Sequence, residues 1–311
     1  MPANRAVLRL WRNRPRAVRM KLFMLFLVAA VTVILAGSCA HQPVQPPSRP
    51  ARIAVVLGAG ASRGFAHIGV LKVLEMNRVP IHMIVGTSAG SFVGSLYAYG
   101  YNAFQIQKIA ISIEKGDIAD VTIPDNGFIK GEKLEEYVNS MVRNTPIEKL
   151  RTPFYAVATS VPAGQEMVFG KGNTGAAVRA SCSIPGVFRP EKIGDKMYID
   201  GGVVSPVAVD AARRYGADIV IAVDVSADLD TKQPEGTIDT ILQAINIMYA
   251  KLSATQLTRA DIVIKPKVGY IGSADFDKRN EAILEGEKAT VEAMPGINAL
   301  LDKLRKEGRI E

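Results

Sequence analysis

Histidine and cysteine are scarce in this 311-residue chain, and acidic charge is missing from its first 49 residues. The three histidines are His41, His67 and His82, so nothing after residue 82 supplies an imidazole. A serine hydrolase with the chain order Ser, Asp, His needs its histidine after the acid, which excludes that triad for any acid beyond this point. Two cysteines, Cys39 and Cys182, offer no disulfide framework. Neither an HExxH motif nor a Cys/His cluster of ligand spacing occurs, so no metal and no cofactor is expected.

The missing acidic charge explains the formal net charge of +8. Arg5, Arg9, Arg12, Arg14, Arg16, Arg19, Lys21 and Arg49 stand in the first 49 residues without an Asp or Glu, and the other 30 basic residues match 30 acidic ones. A neutral body excludes binding driven by nucleic-acid phosphates, which needs clustered Lys and Arg. With 48% apolar and 22% charged residues there is ample material for a folded core.

What is present begins with that basic head. It leads into Leu22 to Ala36, an apolar run with Thr32 as its only polar member, and then Gly37-Ser38-Cys39. Residues 1–38 read as a secretory signal, whose apolar run is too short for a comfortable membrane span. Met20-Lys21-Leu22-Phe23 opens a compact signal, so Met20 is expected as the true start. Leu35-Ala36-Gly37-Ser38-Cys39 resembles a bacterial lipoprotein signal, although Ala36 stands where the usual motif has leucine. The resemblance implies a lipidated Cys39, a membrane surface reached through that anchor, and a place in the bacterial cell envelope. An uncleaved anchor and a plain signal cut elsewhere are the alternatives. Residues 39–51 contain Pro43, Pro46, Pro47 and Pro50 and read as an extended tether.

From residue 52 the chain alternates between strand and helix patterns. Strands are expected at 52–57, 81–85, 154–160, 167–169, 196–199, 218–225 and 260–264, and helices at 65–76, 88–99, 131–143, 174–181 and 206–215. This is the order of a doubly wound α/β domain over 52–226. Residues 227–311 read as a mainly helical C-terminal extension packed on it, with helices at 237–259, 274–294 and 297–306. His82 is expected as a strand residue facing the core or a helix, and His67 as a packed or hydrogen-bonded residue of the first helix.

Three segments carry chemistry. Gly86-Thr87-Ser88-Ala89-Gly90 fits the G-x-S-x-G elbow, in which a nucleophilic serine sits on a tight turn between a strand and a helix. Gly58 to Gly64 is a second glycine turn opening onto a helix. It lacks the Rossmann glycine at position 63, which is Arg, and the P-loop Gly-Lys-Ser/Thr. Backbone N–H groups at Gly60, Ala61, Ser62, Arg63 and Gly64 suit an oxyanion hole instead. Arg63 could steady that loop or meet a lipid phosphate. The third segment is Asp200-Gly201-Gly202 at a strand end, where a carboxylate can reach a serine on a neighbouring strand. Without a downstream histidine, a Ser88–Asp200 dyad is preferred to a triad.

These motifs, with Ala66-His67-Ile68-Gly69-Val70-Leu71 and Ala180-Ser181-Cys182-Ser183-Ile184-Pro185-Gly186-Val187-Phe188, resemble the patatin-like phospholipase family over about residues 52–225. The resemblance implies a three-layer α/β sandwich around a mostly parallel sheet and hydrolysis of acyl esters in lipids. It further implies Ser88 as nucleophile, Asp200 as proton acceptor and an oxyanion hole in the Gly60 to Gly64 loop. Ala59 and Ala61 stand where glycine is common in the family. A catalytically silent lipid-binding envelope protein using the same pocket is the alternative.

Overall fold

Ile53–Leu57 (β1) and Met83–Thr87 (β2) are short runs with every residue buried, the signature of parallel strands covered on both faces. The computed structural model describes residues 15–18, 20, 21, 23–25, 49–123, 126–226 and 233–310. The chain divides into two units, Met1–Ser48 and Arg49–Glu311. In the first, the described backbone is helical at 16–18, 20–21 and 23–25. Cys39 and nearly all of the apolar run and tether lie outside the described residues. No helix among the described residues is long and apolar enough to cross a membrane.

The second unit continues from β1 through a single 3₁₀ turn, Ala61–Phe65, into Ala66–Met76 (α1). After β2 come Ala89–Tyr99 (α2), Ala103–Ser112 (α3), Lys115–Ile118 (α4) and Glu132–Met141 (α5). Phe154–Val161 (β3), Gln165–Phe169 (β4), Thr174–Ser181 (α6), Glu191–Ile193 (β5), Lys196–Asp200 (β6), Val209–Arg214 (α7) and Ile219–Val223 (β7) follow. Thr237–Leu257 (α8), Ile262–Ile264 (β8) and Arg279–Lys306 (α9) complete it. The strands form one sheet in the order β5-β6-β3-β2-β1-β7-β8, with β4 also on β3. Pairs from β3 through β8 along that order are parallel, and β4, β5 and β6 join antiparallel.

Alternation within the strands divides the core into two layers. Ile53, Val55 and Leu57 of β1 point to the larger one, shared with α1, α2, α3, α5, α6 and α9, while Ala54 and Val56 point to a smaller one under α7. The α/β sandwich expected from the sequence is the fold observed. The C-terminal segment is part of the same unit, since β8 extends the sheet beside β7 and α9 packs along α1.

Several boundaries differ from expectation. The second strand begins at Met83 and runs on through Gly86 and Thr87, because the ladder with β1 starts at the Ala54–Met83 pair. His82 precedes the strand and is exposed, with its Nδ1 accepting a hydrogen bond from the Ile53 N–H at 3.1 Å. The expected helices 274–294 and 297–306 are one helix, α9, with Pro295 inside it. Proline removes an intrahelical bond, but Met294, Ile297, Leu301 and Leu304 on either side are buried and hold the helix on course. The sequence reading also missed α3, although Asn102 and Gln105 form a reciprocal capping box at its start. At its other end, Arg279 Nη1 donates to the carbonyls of Ala110, Ile111 and Ile113 at 2.9, 2.9 and 2.8 Å. Those are the acceptors a helix end leaves unsatisfied.

Helices α1 and α9 cross at two glycines. A Cβ on Gly69 would lie 1.9 Å from the Ile283 carbonyl oxygen, and one on Gly286 would lie 2.0 Å from that of Ala66. Gly286→Ala is therefore expected to destabilise the unit by about 1–3 kcal/mol in urea unfolding. Gly116→Ala, at a position with nothing within 4 Å, is expected to be neutral or slightly stabilising.

Candidate active site

Strand β3 sets the distance between the two motif residues. Thr87 of β2 pairs with Val157, and Asp200 of β6 pairs with Ala158, the next residue along. Because β4 pairs with β3 over Ala156 to Ser160, β2 and β6 must share the opposite edge. The residue after Thr87 and the last residue of β6 therefore meet end to end.

Ser88 itself lies off the regular conformations, at φ 55° and ψ −125°. For a non-glycine residue this costs about 1–3 kcal/mol and persists only where the surroundings hold it. Here Ser88 donates its N–H to Ser181 Oγ at 2.8 Å, Ser181 Oγ donates to the Val157 carbonyl at 2.6 Å, and Ser91 Oγ donates to the Ser88 carbonyl at 2.7 Å. The flanking glycines are a packing requirement. A Cβ on Gly90 would lie 2.0 Å from the Leu57 carbonyl oxygen, and one on Gly86 would lie 2.5 Å from that of Gly90.

Ser88 Oγ donates to Asp200 Oδ2 at 2.5 Å, with both residues buried. Asp200 Oδ1 accepts from the Gly202 N–H at 2.7 Å and from the Tyr249 hydroxyl at 2.9 Å. Its backbone is pinned as well, the N–H donating to the Ser183 carbonyl and the carbonyl accepting from Thr159 Oγ1, each at 2.8 Å. Burial raises the Asp200 pKa to about 6, and the hydrogen bonds from Ser88, Gly202 and Tyr249 oppose it. A carboxylate so tuned is mostly ionised at neutral pH yet accepts a proton more readily than an exposed aspartate.

The turn after β1 supplies two uncommitted donors. Ser62 donates its N–H to the Ser273 carbonyl at 3.3 Å, and Arg63 donates its own to the Gly60 carbonyl at 3.1 Å. Gly60 and Ala61 have no backbone N–H partner among the described residues. The expected donor set of Gly60 to Gly64 thereby loses Ser62 and Arg63, whose N–H groups are taken by the Ser273 and Gly60 carbonyls. Gly60 has no room for a side chain, since a Cβ there would lie 2.6 Å from Val225 Cγ2. Ala61 sits at φ 49°, where a Cβ is strained and glycine would not be. Gly64 lies against α2, where its Cβ would meet that of Ala89 at 2.4 Å.

Of the two readings of Arg63, the geometry favours steadying the loop. The side chain is buried and donates to the Val225 and Ile271 carbonyls at 3.1 and 3.0 Å and to Asn246 Oδ1 at 2.9 Å. His67 is fully buried with Nε2 2.8 Å from the Gly58 carbonyl oxygen, and burial lowers its pKa to about 4. It is a neutral support for the start of the turn. Cys182 lies 3.8 Å from Ser91 Oγ, and burial pushes its thiol far above the usual range. Among the described residues no group of three or more His, Cys, Asp or Glu side chains could hold a metal ion.

Sequence reasoning missed Tyr249, Ser181 and Thr159 as partners of the pair. Ser181 was within reach, since it belongs to the Ala180 to Phe188 segment that carries the family resemblance. Tyr249 lies 49 residues beyond Asp200. Its one signal is the series Asn246, Tyr249, Ser253 and Gln256, polar groups recurring at helical spacing along α8.

Residues 55–213 match the family model described as patatin-like phospholipase, about half of the chain. An uncharacterized NTE family protein of Mycobacterium tuberculosis is 35% identical over 178 residues, covering 56% of this chain and 49% of that protein. The human patatin-like phospholipase domain-containing protein 6 is 34% identical over 187 residues, 58% of this chain and 14% of its own. Lysophospholipase NTE1 of Coccidioides immitis is 30% identical over 290 residues, 82% of this chain and 18% of its own. The chain thus spans about half the length of the mycobacterial relative and far less of the other two. VipD from Legionella pneumophila shares the fold, with a TM-score of 0.55 at 11% identity over 82% of this chain and 67% of that one. Since the match takes in the turn after β1, the Ser88 elbow and Asp200 in one continuous span, the chain belongs to the patatin-like phospholipase family.

Proposed function

We propose that this protein hydrolyses acyl esters of lipids through an acyl-serine intermediate, with Ser88 as nucleophile and Asp200 as its base. The observation that carries the reading is the 2.5 Å hydrogen bond from Ser88 Oγ to Asp200 Oδ2 inside a buried site. Ser88 attacks the ester carbonyl while its proton passes to Asp200 Oδ2, and the N–H groups of Gly60 and Ala61 stabilise the oxyanion. Collapse of that intermediate expels the alcohol, which takes the proton back from Asp200. Water then attacks the acyl-enzyme, giving a proton to Asp200 that returns to Ser88 as the fatty acid leaves. That the relatives include a patatin-like phospholipase domain-containing protein and a lysophospholipase supports a lipid ester as substrate.

The N-terminal pattern supports an envelope location, with Cys39 lipidated and the catalytic unit held at a membrane surface by the proline-rich tether. Cells fed an azide-tagged fatty acid are expected to label the wild-type protein and not a Cys39→Ser variant. Equal labelling of both would remove the lipoprotein reading and leave the hydrolase reading untouched.

Ser88→Ala is expected to lower kcat on a short-chain 4-nitrophenyl ester by at least about 10³-fold with an unchanged thermal melt. Turnover retained within tenfold would sink the assignment of Ser88. Asp200 works as a base only when ionised, so kcat/KM is expected to fall as pH drops through about 6 and to level off above it. A profile flat between pH 5 and pH 7 would contradict the role given to Asp200.

A further inference from the structure

The catalytic carboxylate has two oxygens and the proposed reaction uses only one. One of the two donors that hold the other comes from outside the span matched by the family model, which ends at residue 213. Tyr249 stands on α8, is buried, and donates its hydroxyl to Asp200 Oδ1 at 2.9 Å. The second glycine of Asp200-Gly201-Gly202 makes room for it, since a Cβ on Gly202 would lie 2.2 Å from Tyr249 Cζ. Together with the Gly202 N–H at 2.7 Å, the phenol fixes the plane of the carboxylate so that Oδ2 faces Ser88.

The same helix reaches the other parts of the site. Asn246, three residues before Tyr249, accepts from Arg63 Nη2 at 2.9 Å and so braces the turn after β1. Gln256, seven residues after it, accepts the Val207 N–H at 3.0 Å and donates to the Val204 carbonyl at 3.3 Å, holding the segment that follows Asp200-Gly201-Gly202. These spacings put all three side chains on one face of a helix with 3.6 residues per turn.

We infer that Tyr249 is a positioning residue for the catalytic base, and that through it the C-terminal extension completes the Ser88–Asp200 pair. The inference rests on the hydrolase reading above. The groups that face Asp200 are the Ser88 hydroxyl at the head of α2, the Gly202 N–H after β6, the Tyr249 hydroxyl from α8 and the Cys182 thiol after α6. Burial and the neighbouring carboxylate push the phenol well above its ordinary range, so it remains an O–H donor. A donor to the carboxylate favours the ionised form. Its removal makes Asp200 hold its proton more tightly and moves the acid limb to higher pH.

The test is the rate at which a fluorophosphonate probe labels Ser88 in the full chain as a function of pH, for wild type and Tyr249→Phe. The aromatic ring is kept, and a thermal melt checks the fold. The midpoint is expected to move up by about one pH unit, so labelling at pH 6 falls by roughly fivefold while labelling at pH 8.5 stays within about twofold. If the variant melts early, protein carrying 3-fluorotyrosine, whose more acidic phenol donates more strongly, is expected to move the midpoint down. A midpoint that stays put in the folded variant, or in the fluorotyrosine protein, overturns the inference even if labelling is uniformly slower. Wild-type protein whose Ser88 takes no probe at any pH would remove the hydrolase reading, and the inference with it.

Discussion

Asp200 has no surface in contact with water, yet its proposed role requires a negative charge there at neutral pH. An ion in such a place costs several kcal/mol unless hydrogen bonds replace its lost hydration. Much of the structure around the site serves that requirement. Three donors converge on the two carboxylate oxygens, from the end of β2, from the turn after β6 and from the middle of α8. The residual effect of burial is a carboxylate whose pKa is raised to about 6, closer to neutrality than that of an exposed aspartate. A histidine relay would place its base near the same range, and here burial achieves it with a carboxylate alone.

Close approach of backbone segments is the second constraint, and it follows from the first. To bring Ser88 onto Asp200, β2 must end in a turn at positive φ, and α2 must start directly against β1. Gly90 and Gly64 remove the side chains that would separate these segments, while Ser181 and Ser91 occupy the polar groups of the strained turn. Gly201 is equally confined, since its Cβ would lie 2.1 Å from the Val157 carbonyl oxygen. The motif glycines thus act mainly through the space they leave open. Ala61 is the exception, an alanine held at a φ that glycine would adopt freely.

How much of this was legible in the sequence depended on the range of each interaction. The elbow at Ser88 and the strand end at Asp200 are local patterns, and the missing downstream histidine tied them together before any geometry was known. The β-branched runs of β1 and β7 marked both as strands. What could not be read was pairing. That Asp200 lies opposite Ala158, one residue beyond the partner of Thr87, is a property of the ladder and leaves no mark on any single segment. Gly86 looked like the start of a turn but belongs to β2, and Pro295 looked like a helix end but is carried through by buried neighbours. Tyr249 could not be assigned to the site for the same reason as the register, because its partner is brought to it by the tertiary fold.

In the proposed mechanism the hydroxyl of Ser88, activated by a buried carboxylate, forms a covalent bond to the acyl group. Quenching a reaction with a slowly deacylated long-chain 4-nitrophenyl ester in acid, then sequencing the tryptic peptide from Val79 to Lys108 by mass spectrometry, tests it directly. A single acyl group on Ser88, appearing within the first turnover, is the result the mechanism requires. Release of the fatty acid with that peptide unmodified, or an acyl group on a different residue, would contradict it.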